Sequence, residues 1–378
     1  MKVYLDNNAT TRTAPEVVEA MLPYFSEIYG NASSFHQFGQ RSKQGMDEAR
    51  AAVAASLGAE PEEIVFTGSG SESDNYVIKG TAARHDGGHL ITSAIEHPAV
   101  LTTCRYLAKH GFELTILPVD GQGRVDPAEL EAALRPDTIL VSIMAANNEI
   151  GTVQDLAALG AVCRQAETPF HTDAVQALGK LPLDLSELPV DLLSASAHKL
   201  HGPKGVGLAF IRRGRKAPVN LLHGGGHERR RRASTENVAG IVGFGAAVKL
   251  AAEPYVDEIR RLRDRLEAGL TAAVEDTVVL AEKAERLPNT SNIIFHGVEG
   301  ESIVMGLDFE GIAVSTGSAC SSGSLEPSHV ILALGYDHGS AQGTIRFSLS
   351  RYTTAEEIDH VIEKVPPVIH RLRKISAY

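Results

Sequence analysis

The 378-residue chain has only three cysteines, Cys104, Cys163 and Cys320, and they are widely separated. That excludes a disulfide framework and a cysteine-built zinc site, and it makes a reducing cytosol the simplest setting. No apolar run approaches the length of a membrane span. The opening Met1-Lys2-Val3-Tyr4-Leu5 runs into a polar turn and has no leader-like pattern of charge followed by apolar residues. Excess positive charge is missing as well. Lysine and arginine number 36 against 47 acidic residues, a net charge of -11, which argues against direct contact with nucleic acid. There is no internal repeat and no low-complexity segment. What is present is ordinary for a globular protein: 43% hydrophobic and 22% charged residues. The length allows a large core and more than one domain.

From about residue 15 to 255 short apolar segments alternate with helical ones. Ile64-Val65-Phe66, Leu90-Ile91-Thr92, Leu114 to Leu117, Ile139 to Ile143, the run from Leu192 and Val206 to Ile211 read as strands. Ala128 to Leu134 and Leu156 to Ala166 read as helices. The alternation predicts an α/β fold with a mainly parallel sheet, its last strand antiparallel after a hairpin. Ile259, Leu262, Leu266, Leu270 and Val274 then recur at helical spacing, which predicts one amphipathic helix over 257–274. Beyond it lie strand-like Thr290 to Phe295 and Thr344 to Leu349. A closing helix from Ala355 to about Ile375 is capped by Thr353 or Thr354.

Chemistry concentrates at a few places. Lys199 follows an apolar strand and precedes Gly202, Gly205 and Gly207. A lysine there is costly to bury unless its charge is neutralised or used, for example as a Schiff-base amine. Asp173 ends another short apolar segment, and a lysine with such a carboxylate is the pairing that pyridoxal phosphate needs. A surface lysine after a strand is the plainer alternative. Thr67 to Ser73, with Gly70 and Ser71, is a small-residue turn fit for a phosphate at a helix start, or simply a turn. His97 is a candidate acid, base or stacking ring, against an ordinary structural histidine. Asn148 follows a strand end, where open α/β sheets bind ligands. Arg346 and Arg351 are both candidates for a substrate carboxylate, or for surface ion pairs. Gly224 to Arg232 joins three glycines to four arginines, suited to a solvated or subunit-contacting face. Cys320 lies in a loop of serines and glycines that can build no core, so a reactive thiol is favoured there over a packed one.

Tyr4-Leu5-Asp6-Asn7-Asn8-Ala9-Thr10-Thr11, Gly30-Asn31-Ala32-Ser33-Ser34, Glu96-His97-Pro98-Ala99-Val100, Asn147-Asn148-Glu149-Ile150-Gly151 and Ser324-Leu325-Glu326-Pro327-Ser328 stand in one order along the chain. With Asp173, Gln176, His198-Lys199 and Cys320, they resemble the cysteine desulfurases, pyridoxal-phosphate enzymes of the class V aminotransferase type. The cysteine loop resembles the long-loop group shared by the NifS and IscS branches. Arg232 to Asn237, Phe347 to Tyr352 and Val365-Pro366-Pro367 are most similar to NifS, which supplies sulfur for nitrogenase clusters. Three positions depart from the family pattern: Gly70-Ser71 in the phosphate turn, Ala32, and Ala197 before His198.

The resemblance implies fold type I, with a mainly parallel seven-stranded sheet in a large domain of residues 15–255. A small domain would combine residues 1–14 and 256–378, and two copies would form a cytoplasmic homodimer. By position, Lys199 would hold pyridoxal 5'-phosphate through its amine and Asp173 would pair with the pyridine nitrogen. Gln176 would touch the ring hydroxyl oxygen, and His97 would stack on the ring. Gly70, Ser71, Ser196 and His198 would bind the phosphate, with Thr235 arriving from the other subunit. Asn148 and Arg351 would orient L-cysteine, and Cys320 would take its sulfur as a persulfide for an acceptor scaffold protein. Iron–sulfur cluster assembly, nitrogenase maturation and tRNA thiolation stay open as destinations. Another fold type I enzyme, such as a selenocysteine lyase or an aminotransferase, and a non-enzymatic sulfur-binding scaffold stay open as alternatives.

Overall fold

The structure, a computed structural model, describes residues 1–317 and 327–375. In chain order the strands are β1 (Val3–Tyr4), β2 (Ile64–Thr67), β3 (Gly88–Ser93), β4 (Phe112–Leu117), β5 (Thr138–Ser142) and β6 (Phe170–Asp173). They continue with β7 (Leu192–Ser196), β8 (Gly207–Ile211), β9 (Thr277–Val279), β10 (Thr290–Phe295), β11 (Ile312–Ala313) and β12 (Thr344–Ser348). Seven of them form one sheet in the order β2-β8-β7-β6-β5-β3-β4. All neighbours are parallel except at β8, which runs antiparallel to both β2 and β7. β5 to β8 are buried along their whole length. That is why they read as continuous apolar or small-residue runs without alternation: both faces of the sheet are covered.

The longest helix before residue 300 gave little signal in the sequence. Gln37–Ser56 buries Gly39, Ser42, Gly45, Ala49 and Ala54 beside Met46, Arg50 and Val53, so small residues dilute its apolar stripe. It packs along a second small-residue helix, Val238–Ala251.

Helix Val256–Ala273 buries Ile259, Leu262, Leu266 and Leu270, as the spacing predicts. It leads to a second core, built on the antiparallel sheet β12-β10-β9 and the closing helix Ala355–Ile375. Thr354 and Glu357 close that helix's N-terminus reciprocally. The Glu357 N–H donates to Thr354 Oγ1 at 3.2 Å and the Thr354 N–H to Glu357 Oε2 at 3.0 Å. The helix continues through Pro366 and Pro367. Burial of Val365, Val368 and Ile369 against the core offsets the lost backbone bonds there.

The N-terminal segment joins the second core. β1 pairs in parallel with β11, and Val3 and Leu5 are buried among that core's residues. A further cluster joins the two halves: Ile95, Met144 and Ile150, from strand ends of the large sheet, pack against Leu280, Ile294, Val330 and Ile331. Residues 4–11 therefore cross from one core to the other, directly over the C-terminal edge of the parallel strands.

Candidate active site

Parallel strands all end on one edge, and most of the residues singled out above lie there. β2 leads into helix Gly70–Ala82, β3 into His97, β5 into Asn147 and Asn148, β6 ends on Asp173, and β7 runs through Ser196 into the short helical turn Ala197–Lys199. A crevice at such an edge is where open α/β sheets bind ligands.

The phosphate-type turn is built for close approach. Ser69 caps the helix by accepting from the Glu72 N–H at 3.0 Å, which leaves the N–H groups of Gly70 and Ser71 at a helix start. A Cβ on Gly70 would stand 2.6 Å from Val175 Cγ2 and 3.5 Å from Ser196 Cβ, and one on Gly207 would stand 2.6 Å from the Ser69 carbonyl oxygen. Absent side chains thus bring the turn against Val175 and Ser196. His198 stands beside it, with Nδ1 3.1 Å from Thr10 Oγ1. Burial, with help from Lys199 and Lys204, lowers the His198 pKa to about 4, so its ring is neutral.

Lys199 Nζ donates to the carbonyl oxygens of Asn8 (2.6 Å) and Ala9 (2.7 Å). Besides His198, its charge is felt by three neighbours. His97 is lowered to about 4, first by burial and then by Lys199. Its Nδ1 accepts from the Ala99 N–H at 3.1 Å, so the neutral ring carries its proton on Nε2. Asp173 is raised to about 6 by burial, opposed by the donating Val175 N–H and by Lys199. Lys180 is pushed down to about 7, by burial first and Lys199 second.

Gln176 is 4% exposed and sits between Lys180 and Asn8. It accepts from Lys180 Nζ at 2.9 Å and donates to the Asn8 carbonyl, also at 2.9 Å. Asn148 supplies its backbone carbonyl to Asn8 Nδ2 and to Arg346 Nη1, both at 3.1 Å.

The two arginines part company. Arg351 is committed elsewhere: it donates to the Leu250 carbonyl at 2.6 Å and to Glu253 at 2.7 Å, with its guanidinium 5.1 Å from the Tyr255 ring centre. Arg346 is 2% exposed and donates to the carbonyls of Asn148 and Gly317 and to Asp6 Oδ1. Its Nε has no hydrogen-bond partner among the described residues. Of the two, Arg346 is the one whose hydrogen bonds reach Asn148 and the N-terminal segment at the sheet edge. Arg346 is inside β12, facing the site, whereas Arg351 lies past the strand's end in the turn before the closing helix.

Thr235 is exposed. Cys320 lies outside the described residues. Cys104 and Cys163 are free and buried, and burial pushes both thiols up to about 12. Among the described residues no cluster of ligands suited to a metal occurs.

Three buried groups went unassigned in the sequence reading. Asp74, on the helix that starts at Gly70, is held well above the usual carboxyl range by burial and by Asp173, and its Oδ1 has no hydrogen-bond partner among the described residues. Glu96 is raised to about 8, chiefly by burial. Lys180 is the third. Their only sequence signal was proximity to Ser73, His97 and Gln176.

These groups fit pyridoxal phosphate. Lys199 supplies an amine at a strand end, Asp173 a buried carboxylate, His97 a neutral ring, and Gly70 a cradle that any Cβ would fill.

Comparison with known proteins agrees. The family described as aminotransferase class-V matches residues 3–361. A cysteine desulfurase IscS of Methanosarcina thermophila is 51% identical, the alignment covering 99% of this chain and 93% of that one. A cysteine desulfurase IscS of Dictyoglomus turgidum is 49% identical over 100% of this chain and 97% of its own. A solved NifS-like protein superposes with a TM-score of 0.92 at 41% identity, covering 98% of this chain and all of the other. The chain belongs to the class-V aminotransferase family, the pyridoxal-phosphate enzymes of fold type I.

Proposed function

We infer that this enzyme is a cysteine desulfurase, which takes sulfur from L-cysteine, leaves L-alanine and carries the sulfur as a persulfide on Cys320. The observation that carries the reading is Lys199 at the β7 end, beside buried Asp173 and neutral His97, in a chain similar along its whole length to proteins named cysteine desulfurase.

Pyridoxal phosphate, when bound, takes up the electron pair released as the substrate loses its Cα proton. The protein's residues do the rest. Lys199 would hold the cofactor through its amine, and that amine, once free, would take the Cα proton. Asp173, in its ionised form, would hold a proton on the ring nitrogen. His97 would lie against the ring, with its own proton on Nε2. Gln176 presents an amide N–H to the ring oxygen. The turn at Gly70 and Ser71, with Ser196 and His198, grips the phosphate, and Thr235 completes that grip from the partner subunit. Asn148 and Arg346 orient the substrate, Arg346 through its carboxylate.

The Cys320 thiolate then attacks the substrate sulfur. An S–S bond forms, the Cβ–S bond breaks, and its electron pair stays with carbon, which is protonated to give alanine. The enzyme acts as a homodimer in a reducing cytoplasm. Exposed Leu22, Phe25, Tyr29, Phe35 and Phe38 supply apolar surface of the kind a subunit contact covers. It hands its sulfur to a scaffold protein for iron–sulfur cluster assembly, with nitrogenase clusters as the narrower destination.

The test is on Cys320. Brief exposure of the enzyme to L-cysteine without reductant should add one sulfur to the peptide carrying Cys320, read by mass spectrometry. Cys320→Ser should keep the cofactor's absorption and release neither sulfide nor alanine. An added sulfur on Cys104 or Cys163, or normal sulfide release from Cys320→Ser, would overturn the reading.

A further inference from the structure

Lys180 is a lysine where the fold has no obvious use for one. It is 8% exposed, and among the described residues its Nζ makes no ion pair and donates only to Gln176 Oε1. Burying an ammonium without a carboxylate is costly. The charged groups around it are of the wrong sign to help: Lys199 and Arg346 both act against its protonation. Lys180 in turn depresses the rings of His198 and His201. Asp173 acts on Lys199, not on Lys180.

The hydrogen bonds give the residue a role. An amide can be flipped when its partners are ambiguous, but those of Gln176 are not. Lysine only donates and the Asn8 carbonyl only accepts. With Lys180 on Oε1 and Asn8 on Nε2, one orientation satisfies both. The same Asn8 carbonyl also accepts from Lys199 Nζ at 2.6 Å. The NH2 end of Gln176 and the reactive amine therefore meet at one oxygen.

We propose that Lys180 is a positioning residue for the reaction: it locks Gln176 so that the amide N–H faces the cofactor's ring oxygen, and its amine and that of Lys199 oppose each other's protonation. The proposal rests on the cofactor placement given above. Lys180 faces Lys199 and Arg346 as charges of its own sign, and Lys199 in turn acts on Asp173, His97 and His198.

Three variants separate the two effects, with the pH midpoint of the lysine-bound cofactor's absorption and the rate of cofactor loss on dilution as readouts. Lys180→Gln can still donate to Gln176 but has no charge. It should retain cofactor as the wild type does while its midpoint rises by about one pH unit. Lys180→Met loses both donor and charge. Its midpoint should rise similarly and its cofactor should leave about tenfold faster, because the amide is free to turn. Gln176→Glu gains an ion pair with Lys180 but cannot donate. It should lose cofactor faster even though its apoprotein melts no lower. In the apoprotein, competitive acylation should show Lys199 less reactive at neutral pH in both Lys180 variants. Unchanged midpoints in Lys180→Met and Lys180→Gln, with wild-type cofactor retention, would overturn the proposal. A wild type whose cofactor is not on Lys199 would instead overturn the cofactor placement beneath it.

Discussion

At Arg346 the cost of burying a guanidinium decides what the residue can do. Two of its nitrogens are occupied by Asp6, Asn148 and Gly317, while Nε is buried with no hydrogen-bond partner among the described residues. A buried unpaired donor costs on the order of 1–3 kcal/mol, and an arriving carboxylate would recover part of that. Lysine keeps the charge but not the two-pronged geometry. Arg346→Lys should raise the KM for L-cysteine about 10- to 100-fold, with the cofactor absorption unchanged. Arg351→Lys should leave KM within about threefold and lower the melting temperature slightly, because its bonds are to Leu250 and Glu253. The opposite pattern would return the role to Arg351. Lys199→Ala should lose the absorption of the lysine-bound cofactor, and borohydride trapping in the wild type should label Lys199 alone.

Between elements, Glu96 ties strand ends together. Its Oε1 accepts from Ser93 Oγ at the end of β3 (2.6 Å) and from the Met144 N–H beyond β5 (2.9 Å). Its backbone carbonyl lies 3.0 Å from His329 Nε2, just past the undescribed segment. Burial raises its pKa from 4.5 to about 8, and its Oε2 has no hydrogen-bond acceptor or donor beside it among the described residues. The folded state therefore holds this proton where the unfolded state has released it. The stability it contributes is complete below about pH 4.5 and is lost progressively up to about pH 8, by at most a few kcal/mol. Glu96→Gln mimics the protonated acid. It should match the wild type in apoprotein stability near pH 4.5 and exceed it at pH 8, in denaturant titrations at the two values. A wild-type stability that rises over that range with no gain from Glu96→Gln would show that Glu96 is ionised in the fold.

At the scale of the whole molecule, the function proposed above takes one residue of the phosphate grip from a second copy of the chain. Thr235 is exposed, whereas Lys199, Asp173 and the Gly70 turn are assembled within one chain. If Thr235 serves the neighbouring subunit, subunit exchange can restore what each variant lacks. Lys199→Ala and Thr235→Val homodimers should each be impaired. After mixing and subunit exchange, half of the dimers are hybrids, each with one intact site, so the mixture should recover about a quarter of wild-type activity. No recovery, with exchange verified by native mass spectrometry, would place Thr235 in its own subunit's site or in none. Substituting Phe35, 98% exposed in the single chain, by Asp should weaken the dimer in sedimentation without lowering the monomer's melting temperature.

The sequence by itself determined the parallel sheet, the amphipathic helix read over 257–274 and found at Val256–Ala273, the closing helix with a cap at Thr353 or Thr354, and the strand-end positions of Lys199, Asp173 and Asn148. Each of these is written in local signals: apolar runs of strand length, helical spacing, and a capping pair. Helix Gln37–Ser56 was not legible, because its buried face is mostly glycine, serine and alanine, with Met46 and Val53 as its only large apolar residues, and it packs closely against another small-residue helix. The choice between Arg346 and Arg351 was not legible either. Five residues separate them, and only the end of β12 decides that one points into the site and the other toward Tyr255. Asn8, Asp74, Glu96 and Lys180 gained their meaning only when residues 4–11 were laid across the sheet edge. That bridge joins positions nearly two hundred residues apart. The shifted proton affinities of Asp74, Glu96 and Lys180 come chiefly from burial, a property of the folded volume that no stretch of sequence contains.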